Sequence, residues 1–101
     1  RRSSAMPEVP TIGESGAAFG LGDFDIHTWF GIFAPAGLPG EQTARLHRAF
    51  VDAMAAPEVK ARAASLMAEL TPTTPEQFAA FVRGELAKYE TVVKASGARL
   101  D

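Results

Sequence analysis

The amino-acid sequence changes character near Pro39, and this change constrains the fold more than any other feature. Residues 1–39 contain six of the nine glycines, four of the seven prolines and five of the nine aromatic residues. Residues 40–101 are rich in alanine, glutamate, arginine and lysine, which favour helices. The sequence therefore predicts loops and extended backbone in the first part and helices in the second.

A β-strand is predicted over residues 24–34, FDIHTWFGIFA. These residues are aromatic and β-branched and are bounded by glycine and proline, as is typical of strands. Apolar side chains occupy successive positions at Trp29–Phe30 and again at Ile32–Phe33, so we expect both faces of the strand to be covered. Residues 98–101 are a candidate for a second strand at the edge of the same sheet.

Three helices are predicted after the strand, over residues 39–55, 57–69 and 75–96. Pro39 and Pro57 suit a first helical position, because proline has no N–H to lose there. Thr74 and Gln77 have the spacing of a capping box, and Gly97 suits a left-handed helix end. One or two strands with three helices predict an incomplete lobe of an α/β fold.

Charge and residue usage exclude several classes of function. The net charge is −2 and no basic run is longer than Arg1–Arg2, so we expect neither a nucleic-acid partner nor an anionic membrane partner. The chain has no cysteine, which excludes disulfides, zinc–thiolate sites and cysteine nucleophiles. No apolar run follows Arg1–Arg2, so we expect the signal peptide of an exported protein to lie upstream of residue 1.

A serine hydrolase is the first enzyme class to consider, because Ser15, His27 and an aspartate at 23 or 25 supply its residue types. The motif around Ser15 is not G-x-S-x-G, since the second glycine comes one residue early. Nothing in the sequence brings His27 close to Ser15. The chain is therefore predicted not to be an enzyme.

Metal and cofactor sites are not expected either. The two histidines, His27 and His47, fall on different predicted elements and lack the ligand spacing of a metal site. Gly20 and Gly22 match the start of a dinucleotide-binding loop, but Asp25 stands in place of the third glycine. No predicted strand precedes this loop and no predicted helix follows it, so the pattern indicates a turn.

Three side chains have both a structural and a ligand-binding interpretation. Trp29 and Phe30 can line a cleft at the end of a central strand, although packing in a core is the favoured interpretation of both. Glu14 lies beside glycines, where its carboxylate can accept a backbone hydrogen bond or contact a ligand. A separate apolar stripe predicts core packing by Phe78, Phe81, Val82 and Tyr89.

Four segments in order resemble the receptors of tripartite tricarboxylate transporters, also called the Bug family. Residues 6–16 (MPEVPTIGESG) resemble the family's LPxVPTxxExG segment. Residues 29–39 (WFGIFAPAGLP) are similar to WxGxxAPxGTP, and residues 56–62 (APEVKAR) to DPEVRxR. The family's final helix is similar from residues 74–78 (TPEQF), through Glu85, Lys88 and Tyr89, to residues 95–97 (ASG). Together these segments span nearly the whole chain.

The resemblance implies the two-lobed fold of type II periplasmic binding proteins, with this chain as its C-terminal part. Residues 1–28 would cross over from the second lobe, and residues 29–101 would complete the first. Such a receptor captures a small carboxylate between its α/β lobes in the periplasm, without a cofactor, and delivers it to membrane transporter subunits. The cleft candidates are Thr11, Glu14, Trp29 and Phe30.

The chain departs from the family pattern at several places. Leu38 replaces the threonine that would cap the first helix, and Ala56 replaces the aspartate that would cap the second. Met67 stands where the family usually has the glycine that ends the second helix, so we expect this helix to run on toward Leu70. The loop from Gly16 to Trp29 is longer than usual, and we expect residues 17–20 to form a surface excursion with Phe19 exposed. The alternative to a receptor is a stand-alone α/β interaction module that self-associates through an exposed sheet edge.

Overall fold

The computed structural model describes residues 1–99, and within them the secondary structure is helical. A short helix is followed directly by a 3₁₀ turn, Ala17–Phe19, and then by a long stretch without regular structure. Three longer helices complete the described chain. The four α-helices are α1 (Ile12–Gly16), α2 (Gly40–Ala55), α3 (Pro57–Ser65) and α4 (Pro75–Ser96).

The predicted α/β class is wrong for the described chain, because residues 1–99 contain no β-strand. Residues 24–34, the predicted strand, have no regular secondary structure. A strand exists only where a second backbone pairs with it, and no backbone hydrogen bond within residues 1–99 pairs this segment with another extended segment. The segment instead packs its side chains on α4. The candidate second strand includes Leu100 and Asp101, which lie outside the described residues.

Both ends of α4 have the capping residues and conformations that the sequence predicts. The Gln77 N–H donates to Thr74 Oγ1 at 3.2 Å, and the Thr74 N–H donates to Gln77 Oε1 at 3.0 Å. This confirms the predicted capping box, which satisfies two backbone donors at the start of the helix. Gly97 ends the helix at φ 67°, which confirms its predicted left-handed conformation.

The end of α3 differs from the expectation that this helix runs on toward Leu70. The helix ends at Ser65, and Met67 takes a left-handed conformation with φ 53°. The Met67 N–H donates to the Ala64 carbonyl at 3.0 Å, and the Ala68 N–H donates to the Ala63 carbonyl at 2.9 Å. These are the two bonds of a Schellman motif, so Met67 occupies the backbone position that glycine usually fills.

The described chain lacks a conventional hydrophobic core. Among residues 1–99 only Gly16 and Glu85 are buried, and every apolar side chain keeps part of its surface exposed. The accessible surface is 8542 Å², whereas a compact protein of 10.7 kDa exposes about 5,500 Å². The radius of gyration is 17.1 Å, against about 13 Å for a compact domain of 100 residues. The chain therefore presents a large surface that further polypeptide can cover.

Candidate functional site

The most organised tertiary contact joins residues 24–34 to α4 through aromatic rings. The Trp29 ring meets Phe81 edge-on, with ring centroids 5.0 Å apart, and meets Phe78 edge-on at 5.9 Å. Phe33 lies 5.3 Å from Phe78. Edge-to-face pairs of this kind add about 0.5–1.5 kcal/mol to the area they bury. We call Trp29, Phe33, Phe78 and Phe81 the aromatic cluster.

Gly31 allows the aromatic cluster to form. A Cβ atom at this position would overlap the tip of the Phe78 ring, which lies directly against the glycine backbone. Any larger residue would push the segment off α4 or displace Phe78 from between its neighbours. Gly31 therefore permits the present contact between its backbone and the Phe78 ring.

A carboxylate lies beside the aromatic cluster. Glu85 is the one charged residue that is buried within residues 1–99, with 6% of its surface exposed. Its Oε2 atom accepts a hydrogen bond of 3.1 Å from the Trp29 indole N–H, and its Oε1 atom lies 2.5 Å from the Lys88 ammonium. Both carboxylate oxygens are thus paired, as a buried charge requires.

Lys88 connects this carboxylate to the beginning of the segment. Its ammonium donates to the Asp25 backbone carbonyl at 2.9 Å and lies 3.7 Å from the Asp25 carboxylate. The other oxygen of that carboxylate lies 3.3 Å from Nδ1 of His27. We call Asp25, His27, Glu85 and Lys88 the polar network; it continues the aromatic cluster along α4.

The pKa values within the polar network follow from these contacts. The hydrogen bond from Lys88 lowers the pKa of Glu85, and the bond from the Trp29 indole lowers it further, while burial acts in the opposite direction. The hydrogen bond to Glu85 raises the pKa of Lys88, and the charge of Asp25 adds to this effect. Glu85 and Lys88 are therefore held as an ion pair.

A second polar contact fixes α1. Thr11 and Glu14 form a capping box, in which the Glu14 N–H donates to Thr11 Oγ1 at 3.1 Å and the Thr11 N–H donates to Glu14 Oε2 at 2.7 Å. The Arg2 guanidinium also contacts Glu14, at 2.9 Å. The backbone bond from Thr11 and the bond from Arg2 lower the pKa of Glu14.

A basic groove lies between the first residues of the chain and α3. Arg1, Arg2 and Lys60 contribute its positive charge, and its volume is about 640 Å³. Arg1 is paired with Glu69, whose other oxygen accepts the Ser4 backbone N–H at 2.8 Å. Because glutamates already pair both arginines, this groove offers less positive charge to an anion than its composition indicates.

The four cleft candidates fall into two separate places. Thr11 and Glu14 are bonded to each other at the start of α1, and no hydrogen bond within the described part of the chain joins them to Trp29 or Phe30. Trp29 faces α4 and gives its only polar atom to Glu85. Phe30 points the other way, with 92% of its surface exposed. The Trp29 side chain is thus engaged in contacts with α4, whereas the Phe30 ring is exposed on the surface.

Sequence reasoning placed Glu85 and Lys88 in the segment that resembles the family's final helix but gave them no role in a site. They follow Phe78 and Phe81 at helical spacing, so a charged pair interrupts an apolar stripe of α4. That interruption is a signal that the sequence contains. The capping box at Thr11 and Glu14 was missed as well, although a threonine followed three residues later by glutamate is its signature.

The described residues form neither a metal-binding group nor a membrane-crossing helix. Within residues 1–99, no three histidine, cysteine, aspartate or glutamate residues are grouped so that they could hold a metal ion. None of the helices in this range is both long enough and apolar enough to cross a membrane.

Comparison with known proteins identifies relatives over nearly the whole chain. The 92 residues that match a UPF0065 protein in the tcbD–tcbE intergenic region of Pseudomonas sp. (strain P51) are 35% identical to it. They make up 91% of this chain and 26% of that protein. Protein BugT of Bordetella pertussis is 30% identical over 99 residues, which are 98% of this chain and 29% of BugT.

The chain thus spans between a quarter and a third of the length of the curated relatives it matches. No solved structure matches it. The model of one protein family, described as the tripartite tricarboxylate transporter family receptor, matches residues 1–98. Because this match covers almost every residue, the chain belongs to the tripartite tricarboxylate transporter receptor family.

Proposed function

We propose that this chain acts as the C-terminal part of an extracytoplasmic solute-binding receptor, which captures a small carboxylate for a tripartite tricarboxylate-type transporter. The family match over residues 1–98 carries the proposal. The receptor works in the periplasm and passes its ligand to membrane transporter subunits. It performs no chemical reaction on the ligand.

The surface of the chain supports this assignment. It exposes about 3,000 Å² more than a compact protein of its mass, which is ample for a large interface with further polypeptide. A two-lobed receptor needs such an interface to build a closed cleft. The proposal therefore accounts for the absence of buried apolar side chains within residues 1–99.

Among the four cleft candidates, Phe30 is the one we propose as a direct contact to the ligand or to the surface facing it. Its ring is free, whereas Trp29 is held by α4 and Thr11 and Glu14 bond each other. A ring of this kind can form an apolar wall of a pocket while polar groups elsewhere bind the carboxylate. Thr11, Glu14 and Trp29 then support the shape of the cleft.

A thermal-shift screen tests the receptor assignment. The full-length protein carrying this sequence is melted with a panel of small mono-, di- and tricarboxylates, each matched by its neutral amide. A ligand present at 100 times its Kd stabilises the folded state by about 2.7 kcal/mol, so at least one carboxylate should raise Tm while its amide does not. If no carboxylate in the panel raises Tm, the assignment fails.

Self-association is the second candidate function, and the exposed apolar surface favours it. Residues 1–99 have no sheet edge, so the contact would use exposed side chains such as Phe30, Ile32 and Phe33. Sedimentation equilibrium of the 101-residue chain tests this candidate. A concentration-dependent dimer that is weakened by Phe30→Ser would support it, and a monomer at all concentrations would exclude it.

A further inference from the structure

We propose that Glu85 and Lys88 act as a positioning pair, which holds residues 25–29 on α4 and thereby turns Phe30 to the outer surface. The role of Phe30 in a binding face rests on the proposed receptor function. The positioning itself does not, because it depends only on contacts within the chain.

The positioning pair holds the segment at two points. Lys88 donates to the Asp25 carbonyl at 2.9 Å, and Glu85 accepts from the Trp29 indole at 3.1 Å. The two side chains lie 2.5 Å from each other, so each limits the movement of the other. Two contacts four residues apart fix both the position and the direction of an extended backbone. One contact would leave it free to pivot.

The burial of Glu85 makes the two contacts depend on each other. Glu85 as a whole is 6% exposed, and the Trp29 indole lies against its carboxylate. No buried side-chain nitrogen or oxygen within residues 1–99 lacks a partner, so the covered site is fully paired. Removal of Lys88 would leave a covered carboxylate with one donor, and such a group favours exposure to water. The segment is therefore most stable when both partners are present.

The orientation of Phe30 follows from this attachment. Side chains of adjacent residues in extended backbone point to opposite sides. With Trp29 directed onto Phe81 and Glu85, Phe30 must point outward, and its ring is 92% exposed. The pair thus determines which of the two adjacent aromatic rings a binding partner meets.

The charged and titratable groups around Glu85 come from two elements. Lys88 and Tyr89 lie on α4 with it, and Asp25 and His27 lie on the segment. The carboxylate of Asp25 reinforces Lys88, and a protonated His27 would also favour the charged form of Glu85. Asp25 carries the same charge as Glu85, and the Lys88 ammonium contacts both carboxylates.

Hydrogen exchange at one atom tests the proposal. Trp29 is the only tryptophan, so its indole N–H gives a single cross peak in a nitrogen–proton NMR spectrum of the chain. The substitution Glu85→Ala removes a charged acceptor and should increase the exchange rate of this N–H about tenfold. Glu85→Gln keeps an acceptor and should give a smaller increase. Phe30→Ala should leave the rate unchanged.

Glu90→Gln is the matched control. It changes the same residue type on the same helix and removes the charge that pairs with Lys94 at 2.6 Å, whereas the Trp29 indole bonds to Glu85. Circular dichroism of each variant checks that α4 is retained. If Glu85→Ala and Glu85→Gln both match Glu90→Gln in indole exchange, the proposal is wrong. That result would stand whether or not a carboxylate binds, because no ligand is present in the experiment.

Discussion

Glu85 is a charged residue at a position where the spacing of α4 predicts an apolar one. Its neighbours explain this choice, because the Trp29 indole needs an acceptor and Lys88 needs a counter-charge at the same place. A leucine at this position would pack against the aromatic cluster but would leave the indole N–H without a partner. Glu85 therefore stabilises the contact between α4 and residues 24–34, and it is not needed to form α4 itself.

The lowered pKa of Glu85 predicts a pH dependence with a definite sign. The stabilisation it provides is present above the ordinary pKa of glutamate and is lost as the pH falls through the lowered value. Lys88 has a raised pKa, so its contribution is lost only as the pH rises through that value in strong alkali. We expect Trp29 fluorescence to stay constant between these limits and to change on acidification below the ordinary glutamate range.

The variant Glu85→Gln identifies the group responsible for that acid transition. It should abolish the change in Trp29 emission, whereas Glu90→Gln should retain it. Persistence of the transition in Glu85→Gln would assign it to a different group and would contradict the account of the polar network.

At the scale of an element, Met67 adopts a left-handed backbone conformation that residues with a Cβ atom disfavour. The helix α3 ends in a Schellman motif although the residue at its left-handed position is not glycine. A side chain with a Cβ atom pays about 1–2 kcal/mol in this conformation. The hydrogen bonds of Met67 and Ala68 to the last turn offset that cost.

The substitution Met67→Gly should therefore stabilise the end of α3 by about 0.5–1 kcal/mol, since part of the relieved strain is lost to the greater freedom of glycine in the unfolded chain. Thermal unfolding followed by circular dichroism at 222 nm measures the effect. Met67→Ala is the control, because alanine keeps the Cβ atom and should bring no gain. Equal behaviour of the two variants would show that the conformation at residue 67 is not strained.

Helix boundaries could be predicted where the signal is local. The capping box of α4 and its glycine end require only Thr74, Gln77 and Gly97, and all three behave as predicted. The end of α3 was misjudged because methionine carries no signal for a left-handed conformation. The strand at residues 24–34 was misjudged for a different reason: strand-forming residues need a second strand beside them, and residues 1–99 contain none.

The candidate site was only partly accessible to sequence reasoning. Trp29 and Phe30 stood out as adjacent aromatics, but the sequence could not say which of them faces outward. That depends on Glu85, which is 56 residues away from Trp29 along the chain. Long-range pairs of this kind have no local pattern. An acidic residue within an apolar helical stripe was the one available indication.

At the scale of the whole molecule, the described chain has a large exposed surface and no buried apolar core. Its helices and the segment on α4 are ordered by local caps, a Schellman motif and one aromatic cluster. Every apolar side chain within residues 1–99 keeps part of its surface exposed. A receptor that is three to four times longer, as the matched relatives are, would cover this surface and complete a cleft.

Direct calorimetric titration of the full-length protein with small carboxylates tests the receptor account most directly. The account predicts saturable binding of at least one carboxylate with one site per chain, no binding of its neutral amide, and weaker binding in the Phe30→Ala variant. Absence of saturable binding for every di- and tricarboxylate tested, in protein that is folded by circular dichroism, would contradict it.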